Sequence, residues 1–144
     1  MKPATVLVSK VLVVTKQREA LILTVGVHKA RPDKSFKPDL PGGLVDPGET
    51  ELVTVRRELQ EETGIALDEA MFKLAYTKTE LYKDDNESVS KFLYLAFIDT
   101  TPEVTLSWEH ESYQWVPLDA LKANNNLRSF YKEAINYCFA IGLL

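Results

Sequence analysis

PGGLVDPGETELVTVRRELQEETGI, residues 41 to 65, decides how the rest of the chain is read. From Thr50 to Thr63 it holds neither Gly nor Pro, and Leu52, Val55 and Leu59 recur at spacings of three and four, the pattern of an amphipathic helix. Pro47-Gly48 punctuates its start, Glu49 and Glu51 suit the positive N-terminal end, and Gly64 suits a left-handed stop. On such a helix Glu58, Glu61 and Glu62 stand at i, i+3 and i+4, so their carboxylates crowd one face. Like charges at that spacing cost a few tenths of a kcal/mol per pair, which a hard cation would reverse. Oxygen-only donors suit Mg²⁺ or Mn²⁺ rather than Zn²⁺. A solvated acidic face is the ordinary fate of such a cluster, so its surroundings decide.

Those surroundings are Gly43, Glu49, Arg57-Glu58-Leu59, Glu61-Glu62 and Gly64-Ile65. The set resembles the complete Nudix box, and by it the chain is similar to Nudix hydrolases. Seven fixed and two aliphatic positions would match by chance on the order of once in a billion windows. The resemblance implies an α/β/α sandwich with a mixed central sheet, the box forming loop, helix and loop at the sheet's end. It also implies that Glu49 and Arg57, about two helical turns apart on one face, brace the loop against the helix. A surface ion pair, worth at most about 1 kcal/mol, is the plainer alternative. Gly42 and Gly43 allow a tight loop near the cation, and the resemblance makes the Gly42 carbonyl a metal ligand beside Glu58, Glu61 and Glu62.

At 144 residues and 45% apolar composition the chain is expected to form one domain, residues 1 to 144, with a real core. A net charge of −4 argues against a nucleic-acid polymer as partner. The single cysteine, Cys138, excludes an internal disulfide, fits a reducing interior and reads as a small buried hydrophobe. Lys10 and Lys16 interrupt the apolar residues near the start, and no apolar run is long enough for a membrane span. A cytoplasmic protein is the expectation; relatives occur as monomers and homodimers.

Thr5 to Thr15 and Ala20 to Val27 read as strands joined by a polar turn. His28 to Leu40 reads as a long irregular loop. Phe72 to Lys83 and Ser88 to Asp99 read as a strand pair about the Asp84-Asp85-Asn86 turn. Tyr113 to Leu118 is a shorter strand, and Leu127 to Ile141 an amphipathic helix. Strands, helix, strands, helix suggests a mixed sheet between helices.

The loop before the box carries Lys29, Arg31, Lys34 and Lys37, which could hold phosphates that a metal does not reach. Phe36 could stack on a base or simply anchor the loop, and His28 reads as structural. Farther on, Trp108-Glu109-His110-Glu111 precedes Trp115. In the family a Glu of such an element reaches the metal site from outside the box, which singles out Glu109 ahead of Glu111. A carboxylate beside a cation-bound water can take its proton. Trp115 reads as core packing and Trp108 as a possible base-stacking surface.

The resemblance implies a Mg²⁺-dependent pyrophosphohydrolase acting on a nucleotide by water attack at phosphorus, with Mn²⁺ as the other candidate. One of Glu58, Glu61 or Glu109 would activate the water, and Arg57 would orient the carboxylates. No proline stands at Glu80-Leu81-Tyr82, where many ADP-ribose enzymes of the family carry one. Tyr82 falls where dinucleoside polyphosphate hydrolases carry a tyrosine. Nucleoside triphosphates, oxidised or modified, rank ahead of dinucleoside polyphosphates, with nucleotide sugars third. A nucleotide-binding regulator is the alternative from another class. Isoprenoid isomerisation on this fold needs a cysteine well upstream of Cys138.

Overall fold

The strand read over Thr5 to Thr15 is the spine of the molecule. In a computed structural model, which describes residues 4 to 124 and 126 to 144, it runs as β1 (Ala4–Thr15). β1 turns through Lys16 to Arg18 into β2 (Glu19–Val25), but the two pair only at Val14↔Ala20 before they part. On its other side β1 runs parallel to β6 (Glu87–Ile98) along its whole length, from Ala4↔Glu87 to Thr15↔Ile98. β5 (Phe72–Tyr82) pairs antiparallel with β6, and β7 (His110–Pro117) pairs antiparallel with β2.

Into the gap between β1 and β2 go two short strands. β3 (Pro38–Asp39) pairs with β2, and β4 (Gly42–Leu44) pairs with β1 at Val8, Ser9 and Lys10. Leu40, fully buried, pins the connection between them, and Pro41 accepts a hydrogen bond from the Val11 N–H at 2.9 Å. The start of the box is thus threaded into a mixed sheet of seven strands among the described residues.

Three α-helices among the described residues complete the layers: α1 (Glu51–Thr63), α2 (Leu118–Lys122) and α3 (Ser129–Ala140). In β1, Val11 and Val13 face the α1 side with Val55 and Leu59, while Leu12 and Val14 face the α3 side with Phe130, Ala134 and Ile135. Alternate residues of a strand point to opposite faces, and a strand covered on both sides reads as one apolar run. Burying Leu59 alone stabilises the α1 layer by roughly 2 kcal/mol. The expected α/β/α sandwich is what the chain forms.

α1 obeys its sequence signals. Thr50 caps it, its hydroxyl accepting the Val53 N–H at 3.2 Å, and Gly64 ends it in the left-handed conformation at φ 77°. Elsewhere the boundaries move. The second strand ends at Val25, leaving Val27 72% exposed. The loop from 28 to 40 contains a 3₁₀ turn at Pro32–Lys34 and β3. β7 begins at His110 rather than Tyr113, and Leu118 opens α2, a five-residue helix too short to show a period. Cys138 is fully buried against α3's neighbours. No helix among the described residues is long and apolar enough to cross a membrane.

Candidate active site

The site begins with two glycines, one that a side chain could not replace and one where a side chain would press on a glutamate. Gly42 has φ +138°, and a Cβ there would stand 2.0 Å from the Ser9 carbonyl oxygen and 2.7 Å from the Lys10 Cα. At Gly43 a Cβ would meet Glu58 Oε1 at 3.0 Å. These absences of side chain let the glutamates of α1 close on the backbone of β4. Gly42→Ala should therefore lower stability by about 3 kcal/mol or more. Gly48→Ala, whose Cβ meets nothing within 4 Å, carries only left-handed strain of about 1 kcal/mol. Urea unfolding of the two variants checks the contrast; equal losses would contradict it.

The three glutamates differ sharply in setting. Glu62 is 2% exposed, and its Oε1 accepts the Gly42 N–H at 2.8 Å. Burial pushes its carboxyl up to about 7, against the pull of Lys10, the Gly42 N–H and His110. Glu58 is half-buried; burial raises its pKa, the Arg57 charge opposes that, and Glu61 and Glu109 add to it. Glu61 is exposed. All three lie in the C-terminal half of α1, where the helix dipole is already negative. Local electrostatics is therefore against them, and a bound cation would offset the cost.

Arg57 organises the outer pair. Its Nε and Nη2 each donate to one Glu49 oxygen at 2.8 Å, a two-pronged grip. Its Nη1 donates to Glu58 at 3.3 Å and Glu61 at 3.0 Å, and Nη2 also reaches Asp46 at 3.2 Å. The Arg57 hydrogen bonds hold Glu49 down at about 2. Glu49 also accepts from the Thr54 hydroxyl at 3.0 Å, so loop and helix are joined twice at this residue.

Behind the glutamates lies a buried network that sequence reasoning missed. Asp39 accepts from Tyr131 Oη at 2.6 Å and bonds His110 Nε2 at 2.8 Å and Lys10 Nζ at 3.3 Å. Burial alone would raise its pKa; Lys10, His110, Arg128 and Tyr131 outweigh that and hold it far below the usual carboxylate range. Lys10 Nζ also donates to the carbonyls of Leu40 at 3.1 Å and Gly42 at 3.4 Å. A cation drawn to the Gly42 carbonyl would share it with this ammonium. His110 Nδ1 stands 3.6 Å from Glu62 Oε2, too far for a hydrogen bond, and has no hydrogen-bond partner among the described residues.

His110 and Glu109 are brought here by the end of α1. The N–H groups of Thr105 and Ser107 donate to the carbonyls of Thr63 at 2.9 Å and Glu62 at 3.2 Å. Glu109 then lines a cleft of about 660 Å³ with Asp39, His110, His28, Lys29 and Lys34. Trp108, 90% exposed, stands at its wall. Arg31 is paired with Asp33 and lines a second cleft of about 440 Å³, where Tyr82 also lies, its hydroxyl donating to Glu80 at 2.6 Å. Lys37 and Phe36 are exposed and line neither cleft. Trp115 packs against the α1-side core.

The oxygen donors suit a hard cation: carboxylates of Glu58 and Glu62 whose ionisation burial opposes, on the helix that faces the Gly42–Gly43 backbone. Among the described residues, no three Asp, Glu, His or Cys side chains stand grouped as a ready-made metal cage. Glu58 and Glu61 are turned to Arg57, and Glu62 to Gly42.

Comparison with known proteins agrees with this architecture. The asymmetrical bis(5'-nucleosyl)-tetraphosphatase of Rattus norvegicus is 35% identical over 95 residues, 65% of this chain and 59% of that protein. Its counterpart in Sus scrofa is 38% identical over the same share of each. The chain thus spans about three fifths of the length of these curated relatives. Among solved structures, a MutT protein from Methanosarcina mazei Go1 superposes with a TM-score of 0.81 at 23% identity, over 99% of this chain and 98% of that one. A C. elegans Ap4A hydrolase binary complex superposes at 0.68 with 20% identity, over 97% and 98%. At these identities the structures speak for the fold alone. The NUDIX domain family model runs from residue 6 to residue 137, through the sheet and the helices on both its faces, and the chain belongs to the Nudix family.

Proposed function

We propose that the protein hydrolyses the diphosphate linkage of a nucleotide, with Mg²⁺ or Mn²⁺ held by Glu58, Glu61, Glu62 and the Gly42 carbonyl. The observation that carries this reading is Glu62, a carboxylate buried beside Gly42 at a neutral-range pKa, with Glu58 and Glu61 on the same helix end. A divalent ion there would supply charge neutralisation at the diphosphate oxygens and a bound water of lowered pKa. Arg57 orients Glu58 and Glu61 and ties both to Glu49. One of Glu58, Glu61 or Glu109 accepts the water's proton as its oxygen attacks phosphorus and the bridging oxygen leaves with the departing phosphate. Lys29 in the Glu109 cleft faces the phosphates and Trp108 at its wall offers a stacking surface for a base, whereas Arg31, Lys37 and Phe36 lie outside that cleft.

For the substrate, the sequence relatives shift the ranking. They are named tetraphosphatases of dinucleosides, which favours dinucleoside polyphosphates over nucleoside triphosphates. The test is phosphate and pyrophosphate release from a panel of nucleoside triphosphates, dinucleoside polyphosphates and nucleotide sugars, with and without Mg²⁺. Metal-dependent release from at least one is expected. Binding without release across the panel would replace this reading with a regulator.

A further inference from the structure

Two clefts flank the site, and they share two residues, both cations. Lys34 and Arg128 line the cleft that holds Glu109 and His110, and also the cleft that holds Tyr82. Lys34 comes from the 3₁₀ turn before the box and Arg128 from the start of α3, so the ridge between the clefts joins distant segments.

Lys34 lacks an ion pair among the described residues, and Arg128 has a long one to a carboxylate that other groups already share. The Lys34 ammonium makes no ion pair or side-chain hydrogen bond among the described residues. It is partly buried, and burial followed by the charges of Arg128 and Arg31 disfavours its protonated form. The Arg128 guanidinium lies over the Tyr131 ring at 5.6 Å, and one of its nitrogens stands 3.7 Å from Asp39, beyond hydrogen-bond distance. Three neighbouring cations are matched: Arg31 by Asp33, Lys91 by Glu80 and Lys10 by Asp39. In a chain of net charge −4, an ammonium without an ion pair among the described residues, beside a guanidinium whose carboxylate is already bonded by Lys10, His110 and Tyr131, has charge to offer an anion from outside. A fixed guanidinium fork beside an ammonium matches a phosphate group.

We propose that Lys34 and Arg128 form a second phosphate subsite that selects nucleotides by the length of their phosphate chain. The inference rests on the hydrolytic reading above for where the reacting diphosphate lies. The phosphates beyond it cross the Lys34–Arg128 ridge, and the far end of the substrate enters the Tyr82 cleft. A substrate with only two bridging phosphates leaves the ridge unmatched.

The test compares kcat/KM for nucleoside di-, tri- and tetraphosphates and dinucleoside tri-, tetra- and pentaphosphates, in wild type, Lys34→Gln, Arg128→Gln and the double variant. Wild type should improve with chain length. Arg128→Gln should lose roughly 10–100-fold on tetraphosphates, the worth of a hydrogen bond to a charged group, mostly through KM, and a clearly smaller factor on diphosphates. Variants that lower every substrate by the same factor, or keep the wild-type preference, overturn the proposal. A second measurement does not depend on hydrolysis: calorimetric titration of inorganic tripolyphosphate into the metal-free protein. Wild type should bind it, and the double variant at least about tenfold more weakly. Equal binding overturns the subsite. Loss of binding in the double variant, with no nucleotide cleaved by wild type, upholds the subsite and rejects the hydrolytic reading instead.

Discussion

Glu62→Gln is expected to lower turnover by roughly 10²–10³-fold or more while making the metal-free protein more stable. The amide oxygen keeps the Gly42 N–H, and the amide nitrogen faces His110 Nδ1, which now has no partner. The fold therefore loses nothing it was using. What it gains follows from the pKa. The Glu62 carboxyl lies at about 7 against an ordinary 4.5, with burial the largest cause. A raised carboxyl contributes stability that is fully present below pH 4.5 and is lost as pH rises through 7. Above that window the wild type carries a buried charge that the amide lacks. The metal-free variant should be the more stable by on the order of 1–3 kcal/mol at pH 8, a difference that vanishes at pH 4. Added Mg²⁺ should raise the melting temperature of wild type and not of the variant. A near-normal rate in the variant would remove Glu62 from the metal's ligands.

Asp39→Ala should produce the largest loss of stability, about 3–5 kcal/mol, because it leaves Lys10 buried without its counterion. It also strips partners from His110 Nε2 and the Tyr131 hydroxyl, both bonded to this one carboxylate. The sign with pH is opposite to that of Glu62. Lys10 and the hydrogen bonds outweigh burial and depress the Asp39 pKa, so its contribution is present above the ordinary 3.8 and is lost as pH falls below it. The gap between wild type and variant in urea unfolding should be constant near neutrality and narrow in acid. A loss below about 1 kcal/mol, or a gap that widens in acid, would show that the network is not what holds α3 to β3.

These two residues mark the border of what the sequence discloses. Glu62 belongs to a helix whose period, cap and stop all agree, so its place beside Glu58 follows from spacing alone. Which way each glutamate turns does not. Glu62 points inward only because β4 pairs with β1 and delivers the Gly42 N–H to it, a contact across 20 residues. Asp39 is less legible still. Its partners Lys10, His110 and Tyr131 stand 29, 71 and 92 residues away and share no periodicity with it. One signal was available: Lys10 sits in the apolar run of β1, and a charge in a strand buried on both faces needs a buried counterion. The basic loop was legible as a phosphate candidate, but its sorting between two clefts depends on Arg128, which lies outside any motif. α2 is a single turn after Pro117 and leaves no pattern to find.

A divalent ion held at the C-terminal end of α1 is what the proposed hydrolysis requires. Titration of Mn²⁺ into the full chain, followed by electron paramagnetic resonance with a non-hydrolysable nucleotide present, tests that without reliance on turnover. Saturable binding of Mn²⁺ by wild type is expected, weakened at least about tenfold in Glu58→Gln and in Glu62→Gln. Absence of binding by wild type, or affinities unchanged in both variants, would contradict it.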